Sequence, residues 1–320
     1  MTIALPLTPA APPLDPAKFR DPRVTATGEA RAEVAFQGLK ILWFNTGTLC
    51  NLECAGCYIE SSPKNDRLAY LTATEARAFF EEIARDHLPV EDIGLTGGEP
   101  FMNPDIFDIM GEALGRGFRV LVLTNALRPM LRFQERLLAL HRAHAGRLTV
   151  RVSIDHPEPE RHERLRGPGS WTPMIKGVRW LIAHGFTVHV AGRTVFGEPQ
   201  AELRAAYARL FAELGLAIDA NDPAALVLFP EMDASRDVPE ITTACWGILG
   251  VRPEDMMCAS SRMVIKRRGA ASPAVVACTL LPYDPQFELG PTLAAAARPV
   301  ALNHPHCARF CVLGGASCSR

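Results

Sequence analysis

Three cysteines, Cys50, Cys54 and Cys57, stand in the run LCNLECAGCY with the spacing C-x3-C-x2-C. Three thiolates can hold three irons of a [4Fe–4S] cluster and leave the fourth iron open. An open iron can bind a small molecule through an amine and a carboxylate. A structural zinc knuckle is the alternative. Zinc sites usually close with four nitrogen or sulfur ligands, and no fourth Cys or His lies in the immediate loop; the nearest histidine in sequence is His87. Five more cysteines, Cys258, Cys278, Cys307, Cys311 and Cys318, gather toward the C-terminus, and Cys245 stands apart in TACWG. Nine cysteines are an odd number. The start, TIALPLTPAAPP, has no basic segment and carries early prolines, so it does not read as a secretory signal. Clustered thiols in that setting read as metal or cluster ligands, not as a disulfide framework.

The elements that must position these thiols follow from apolar periodicity and Gly/Pro punctuation. Leu39–Asn45, Ile93–Thr96, Phe118–Thr124, Leu148–Ile154, Phe186–Val190 and Leu226–Phe229 read as strands. Thr72 and Glu75 form a capping box before a helix carrying Ala76, Phe79, Phe80 and Ile83. Asn103–Pro104 reads as the cap of a second helix, Leu131–His144 as a third, one opening at Thr172–Pro173 as a fourth, and Pro199–Leu214 as a fifth. Strands alternating with helices imply parallel βαβ units. The predicted fold class is α/β: a partial (β/α)6 barrel over 39–240, short of the closed eight. Residues 1–38 read as a loose, Pro-rich arm, and 241–320 as a smaller Cys-rich domain. In such folds the site lies at the C-terminal strand ends. The thiol loop follows the first strand. TGGEP (Thr96–Pro100) follows the second; its glycines let backbone approach a ligand with their amides facing it, and Glu99 offers a carboxylate to an ammonium group. Asn125 closes the third strand, Ser153 and Asp155 close the fourth, Arg193 follows the fifth and Glu231 the sixth. A guanidinium at Arg193 suits a carboxylate.

The C-x3-C-x2-C loop one βα unit ahead of GGEP resembles the signature of radical S-adenosylmethionine (SAM) enzymes. That resemblance implies that the open iron chelates SAM. An electron then splits SAM into methionine and a 5′-deoxyadenosyl radical, which takes a hydrogen atom from the substrate. It implies that Gly97, Gly98 and Glu99 bind the methionine amine, and that Ser153 and Asp155, with Asn125 and Arg193 nearby, meet the ribose and the methionine carboxylate. The family usually carries an aromatic residue before the third cysteine, facing adenine. Here Gly56 stands there, and Tyr58 is the nearest aromatic substitute.

The pattern C-x19-C, gap, C-x3-C-x6-C is similar to the twitch or SPASM extensions of that family, which hold auxiliary clusters. Five cysteines suffice for one four-ligand cluster. The expected hairpin around Lys266–Gly269 would supply Cys258 and Cys278; Cys307 and then Cys311 or Cys318 would complete the set, with Cys311 favoured. Zinc on the same ligands is the alternative, because four thiolates suit either metal. An auxiliary cluster would accept an electron from the substrate radical or bind the substrate. Cys245 reads as an ordinary buried thiol, or else as a hydrogen-atom donor; Glu231 is a candidate substrate contact. His156 reads as a surface-loop histidine, with an acid–base role as the alternative. The basic run Lys266–Arg268 reads as a solvated hairpin tip, or as a dock for an acidic electron donor of flavodoxin or ferredoxin type.

Composition excludes other classes. Lys and Arg number 34 against 35 Asp and Glu, a net charge of −1, so no basic field exists for nucleic acid or anionic lipid. Four Trp and four Tyr make a stacking platform for single strands improbable. The apolar runs are strand-length, so no membrane span is expected and the chain reads as cytoplasmic. The substrate reads as a small molecule or a peptide side chain, tilted toward a small molecule because no separate peptide-recognition segment is apparent. Two other readings stand beside it: sulfur or methyl transfer within the same superfamily, and a zinc-bound scaffold without chemistry.

Overall fold

The computed structural model describes residues 12–315. Six apolar runs form parallel strands: β1 (Ile41–Asn45), β2 (Asp92–Thr96), β3 (Arg119–Thr124), β4 (Leu148–Ser153), β5 (Thr187–Arg193) and β6 (Leu226–Phe229). Each lies beside its predecessor in parallel register. The crossovers carry α1 (Ala73–Arg85), α2 (Ile106–Gly115), α3 (Gln134–Ala143), α4 (Pro159–Arg166), α5 (Trp171–Ala183) and α6 (Gln200–Leu214). Parallel strands need such long returns, and helices over a sheet bury its apolar side chains. Leu42, Phe44, Ile93, Leu95, Val150 and Val152 are accordingly fully buried. The capping box of α1 forms as read: Thr72 Oγ1 accepts from Glu75 N, and the Glu75 carboxylate accepts from Thr72 N at 3.0 Å.

Three helix boundaries differ from the sequence reading. Helix α2 starts at Ile106, not at Asn103. Asn103 instead ends a 3-10 turn, Pro100–Met102, and its Nδ2 donates to Thr46 O and Leu71 O, both at 2.9 Å. The expected helix 131–144 is two pieces, Arg128–Leu131 and α3. Helix α4 was not anticipated, because PERHERLR carries almost no apolar stripe; only His162 and Leu165 are buried. Its signals were the proline in the first turn, two arginines in the last and Gly167 after it.

The sheet does not stop at the expected domain boundary. β7 (Ser261–Ile265) pairs parallel to β1 on its other side. β8 (Ala274–Val276) returns antiparallel as the expected hairpin, and β9 (Glu288–Gly290) follows. The full order is β9-β8-β7-β1-β2-β3-β4-β5-β6. One apolar core runs through both regions. The arm is extended, but from residue 12 onward it is not loose. Glu33–Val34 pairs with Val300–Ala301, and buried Arg31 forms an ion pair with Glu240. The basic run is not a free patch either. Lys266 pairs with Glu75, Arg267 with Glu288 and Arg268 with Asp66. No helix among the described residues is long and apolar enough to cross a membrane.

Strand register places Trp43 opposite Gly94. A Cβ on Gly94 would lie 2.3 Å from the buried Trp43 ring. G94A should therefore destabilise the protein by about 1–3 kcal/mol through overpacking. Urea denaturation measures this; a midpoint equal to the parent's would contradict the packing described.

Candidate active-site cleft

The thiol loop hangs from the end of β1 and is held by backbone. Gly98 N donates to Gly47 O at 2.8 Å, and Glu99 N to Leu49 O at 3.2 Å. The approach is so close that a Cβ on Gly98 would sit 2.2 Å from Leu49 O. The glycine pair thus packs two loops backbone to backbone. The Gly98 amide is engaged there and does not face a ligand, which corrects the sequence reading. Farther along, Ala55 N donates to Leu165 O at 2.7 Å, at the end of α4. Ala55 O accepts from Arg193 Nη1, also at 2.7 Å. Ala55, between Cys54 and Cys57, is therefore clamped on both sides, through its N–H and through its C=O.

Cys50, Cys54 and Cys57 line one cleft with Gly97, Gly98 and the strand ends Asn125, Ser153, Asp155 and Arg193. The cleft encloses about 920 Å³ of space open to solvent. Burial pushes the Cys50 thiol up to about 12 and raises Cys54 as well. Without metal, Cys50 and Cys54 therefore hold their protons, and a metal's charge would deprotonate them.

Glu99 departs from expectation. It is 1% exposed and does not line the cleft. Its carboxylate accepts from Thr124 Oγ1 at 2.8 Å, Asn125 N at 2.9 Å and Phe101 N at 3.2 Å. Burial still lifts its pKa to about 7. It acts as a tie between the TGGEP turn and the end of β3, not as a carboxylate aimed at an ammonium. Asn125 does line the cleft, and its Nδ2 donates to Asn51 Oδ1 at 2.9 Å.

Asp155 is not a free carboxylate. Arg166 Nε and Nη2 donate to its two oxygens at 2.9 and 3.0 Å. Arg166 also lines the cleft, and its charge acts on Cys54 and Cys57. Sequence reading missed it because α4 was missed. His156, expected at the surface, is 2% exposed; its Nε2 lies 2.8 Å from Glu198 Oε1. Its Nδ1 accepts from Glu158 N, so it braces the loop after β4.

At Gly56, φ is +66° and a Cβ would lie 2.7 Å from Arg193 Nη2. The Arg193 guanidinium fills the space a side chain there would need. Tyr58 lines the cleft, and its ring stacks on Phe229 at 6.1 Å and 10°. Glu231 sits at the rim, 46% exposed in its side chain, with Oε1 3.4 Å from Arg193 Nη2. Cys245 lines neither this cleft nor the second cavity described below. Its Sγ accepts from Thr242 N at 3.4 Å, in the loop ahead of its own short helix.

The Radical SAM superfamily family model matches residues 44–210, from the end of β1 into α6. The chain belongs to the radical SAM superfamily. It is 34% identical over 142 residues to an AdoMet-dependent heme synthase of Methanosarcina barkeri, covering 44% of this chain and 38% of the relative. It is 31% identical over 143 residues to the subtilosin biosynthesis protein AlbA of Bacillus subtilis, covering 44% and 30%. The match thus spans 38% and 30% of these two relatives' length. The fold resembles Streptococcus suis SuiB bound to S-adenosylmethionine, with a TM-score of 0.58, 13% identity, and coverage of 79% of this chain and 63% of that one. Radical SAM membership implies an enzyme with a [4Fe–4S] cluster and SAM. Three thiols lining one cleft at the strand ends suit that donor set.

The remaining cysteines of this radical SAM chain meet elsewhere. Cys258 lies just before β7 and Cys278 just after β8, so the hairpin brings them together. Cys307 and Cys311 lie on a π-helical segment, Cys307–Val312. All four line a second cavity of about 380 Å³. Cys318 lies outside the described residues. Among the described residues no three Cys, His, Asp or Glu side chains converge on a single-ion site; both thiol sets ring cavities instead.

Breaking a buried ion pair leaves an uncompensated charge. R166M should destabilise the protein by about 3 kcal/mol, and D155N combined with R166M should recover much of that loss. A double-mutant cycle by denaturation reads the coupling; simple additivity would show that the pair does not hold α4 to the strand end.

Proposed function

We propose that this enzyme holds a [4Fe–4S] cluster on Cys50, Cys54 and Cys57, with SAM beside it, in a partial (β/α)6 barrel spanning 39–240. One observation carries the reading: the three thiols share a single cleft with the ends of successive parallel strands. When bound, the cluster supplies one electron to SAM, releasing methionine and a 5′-deoxyadenosyl radical that takes a hydrogen atom from the substrate.

The chain's own residues do the positioning. The Ala55 clamp fixes the loop between the second and third thiols. Arg166 and Arg193 bring two guanidinium groups to the cleft, and Asp155 balances the first. The methionine carboxylate is thereby directed toward Arg193, with Ser153 and Asn125 as neutral polar partners for SAM. Tyr58 and Phe229 offer adenine an apolar wall in place of the aromatic residue that Gly56 replaces. Backbone carbonyls of Gly97 and Gly98, not the Glu99 side chain, are left for the methionine amine.

Within residues 241–320, a twitch-like region, Cys258, Cys278, Cys307 and Cys311 form the auxiliary site, and Cys318 remains a fifth candidate. Thiols spread around a cavity favour a multi-iron group over one zinc ion, whose Zn–S bonds of about 2.3 Å draw four sulfurs together. That cluster would accept an electron from the substrate radical or bind the substrate. A flavodoxin- or ferredoxin-type donor supplies the first electron; in Lys266–Arg268 the ion pairs to Glu75, Glu288 and Asp66 weaken the basic field available to dock it. Peptide and small-molecule substrates now stand level. SuiB is also known bound to its precursor peptide SuiA, with a TM-score of 0.53 and 14% identity. The Methanosarcina barkeri relative is a heme synthase.

Anaerobic reconstitution followed by iron and sulfide analysis tests this assignment. The parent should carry about eight irons, and C50A/C54A/C57A and C258A/C278A about four each. Four irons plus one zinc in the parent would make the second site structural. Eight irons retained in either variant would overturn the ligand assignment.

A further inference from the structure

The second cavity has features that four thiols alone do not explain. Its wall is largely apolar, including Met257, Leu280, Leu281, Phe287 and Leu302. Two polar side chains bear on it, one behind the wall and one in it. Arg262 is 1% exposed on β7, four residues after Cys258 and behind the residues that line the cavity. Its guanidinium donates only to carbonyl oxygens: Cys258 O at 2.6 Å, Ser261 O at 2.7 Å, Arg298 O at 2.8 Å and Ala296 O at 2.9 Å. Burial pulls its pKa down to about 10, and Cys258 and Cys278, once thiolates, are the groups that pull it back up. A buried cation without a carboxylate is costly, so an anion nearby must balance it.

The second side chain is His306, immediately before Cys307. It is 6% exposed, lines the cavity, and its Nδ1 is buried with no hydrogen-bond partner in the protein. Buried polar atoms are almost always satisfied, and leaving one unmet costs free energy. The neighbouring His304 does not meet it: its Nδ1 accepts from the His306 backbone N at 3.0 Å. The group that occupies the cavity is the partner left for His306.

We propose that the second cavity is built for an anionic cluster, with Arg262 as its counter-charge and His306 Nδ1–H as a hydrogen-bond donor to one of its sulfurs. This rests on the reading that the cavity holds the auxiliary cluster. Four thiolates around a four-iron core make a net negative group. Hydrogen bonds to its sulfurs and nearby positive charge stabilise the more negative, reduced state and so raise the reduction potential. His306 is a positioning and tuning residue here, not an iron ligand, because the four thiols already supply one ligand per iron.

The test uses the full chain carrying C50A/C54A/C57A, so that only the auxiliary site can load. Iron is counted, and the midpoint potential is read by EPR-monitored titration, with and without H306F and H306Q. Phenylalanine keeps the ring and removes the donor; glutamine keeps an N–H donor. H306F should retain its iron and make reduction about tenfold less favourable, a shift of about −59 mV for one electron, and H306Q should recover part of that shift. Full iron with an unmoved potential in H306F would overturn the role of His306 and leave the cluster reading standing. No iron in the parental triple variant would overturn the cluster reading and the inference together. Should H306F not fold, pulsed EPR of the reduced cluster in 15N-histidine-labelled triple variant decides. A histidine nitrogen coupling supports the bond, and its absence overturns it.

Discussion

The structure depends on the approach of two backbones. Gly98 meets the segment Gly47–Leu49 so closely that no side chain fits between them. This contact joins the loop after β1 to the loop after β2 and fixes where Cys50 begins. Asn103 strengthens the junction by donating to carbonyls on both sides of the thiol loop, at Thr46 and Leu71. The far end of the loop is fixed through Ala55, its N–H held by Leu165 and its C=O by Arg193. A loop pinned by its main chain keeps three thiols at the cleft, where Cys50 Sγ carries no more than long contacts from Leu52 N and Asn125 Nδ2. That is the condition a cluster site needs, because each thiol must be free to give its proton up to metal.

Charge is handled by the same logic at both cavities. Around the cleft, Glu99 is enclosed and lifted to about 7 by burial, while three donors hold it in place. Asp155 is spent on Arg166, and Arg193 is shared between Ala55 O and the rim carboxylate of Glu231. The second cavity lacks any such acid. Arg262, behind the cavity wall, satisfies its donors on carbonyls, that of Cys258 among them. One cavity is thus balanced within the protein and ready for a zwitterionic ligand; the other is positively biased and ready for an anion.

Much of this was legible in the sequence, and the failures have physical causes. Strands β1 to β6 announce themselves as short segments that are either apolar throughout, like LVLF, or alternating, like TVHV, set between helical stretches. The thiol spacing and the GGEP turn need no structure to be noticed. Helix α4 escaped because only His162 and Leu165 of it are buried, which makes no apolar stripe, and Arg166 escaped with it. Glu99 was read as poised for an ammonium group because its three donors, from the turn itself and the end of β3, are not visible in the sequence. His306 carried no motif at all; only its burial beside four cysteines gives it meaning. The basic run was read as a solvated tip, which Arg268 is, but its three acidic partners stayed hidden because they lie in separate segments of the chain.

The central claim is that the three-thiol cleft performs reductive cleavage of SAM. Anaerobically reconstituted protein, given dithionite and SAM, should release 5′-deoxyadenosine and methionine, and C57A should release neither. Iron-loaded protein that binds SAM yet forms no 5′-deoxyadenosine would contradict the account.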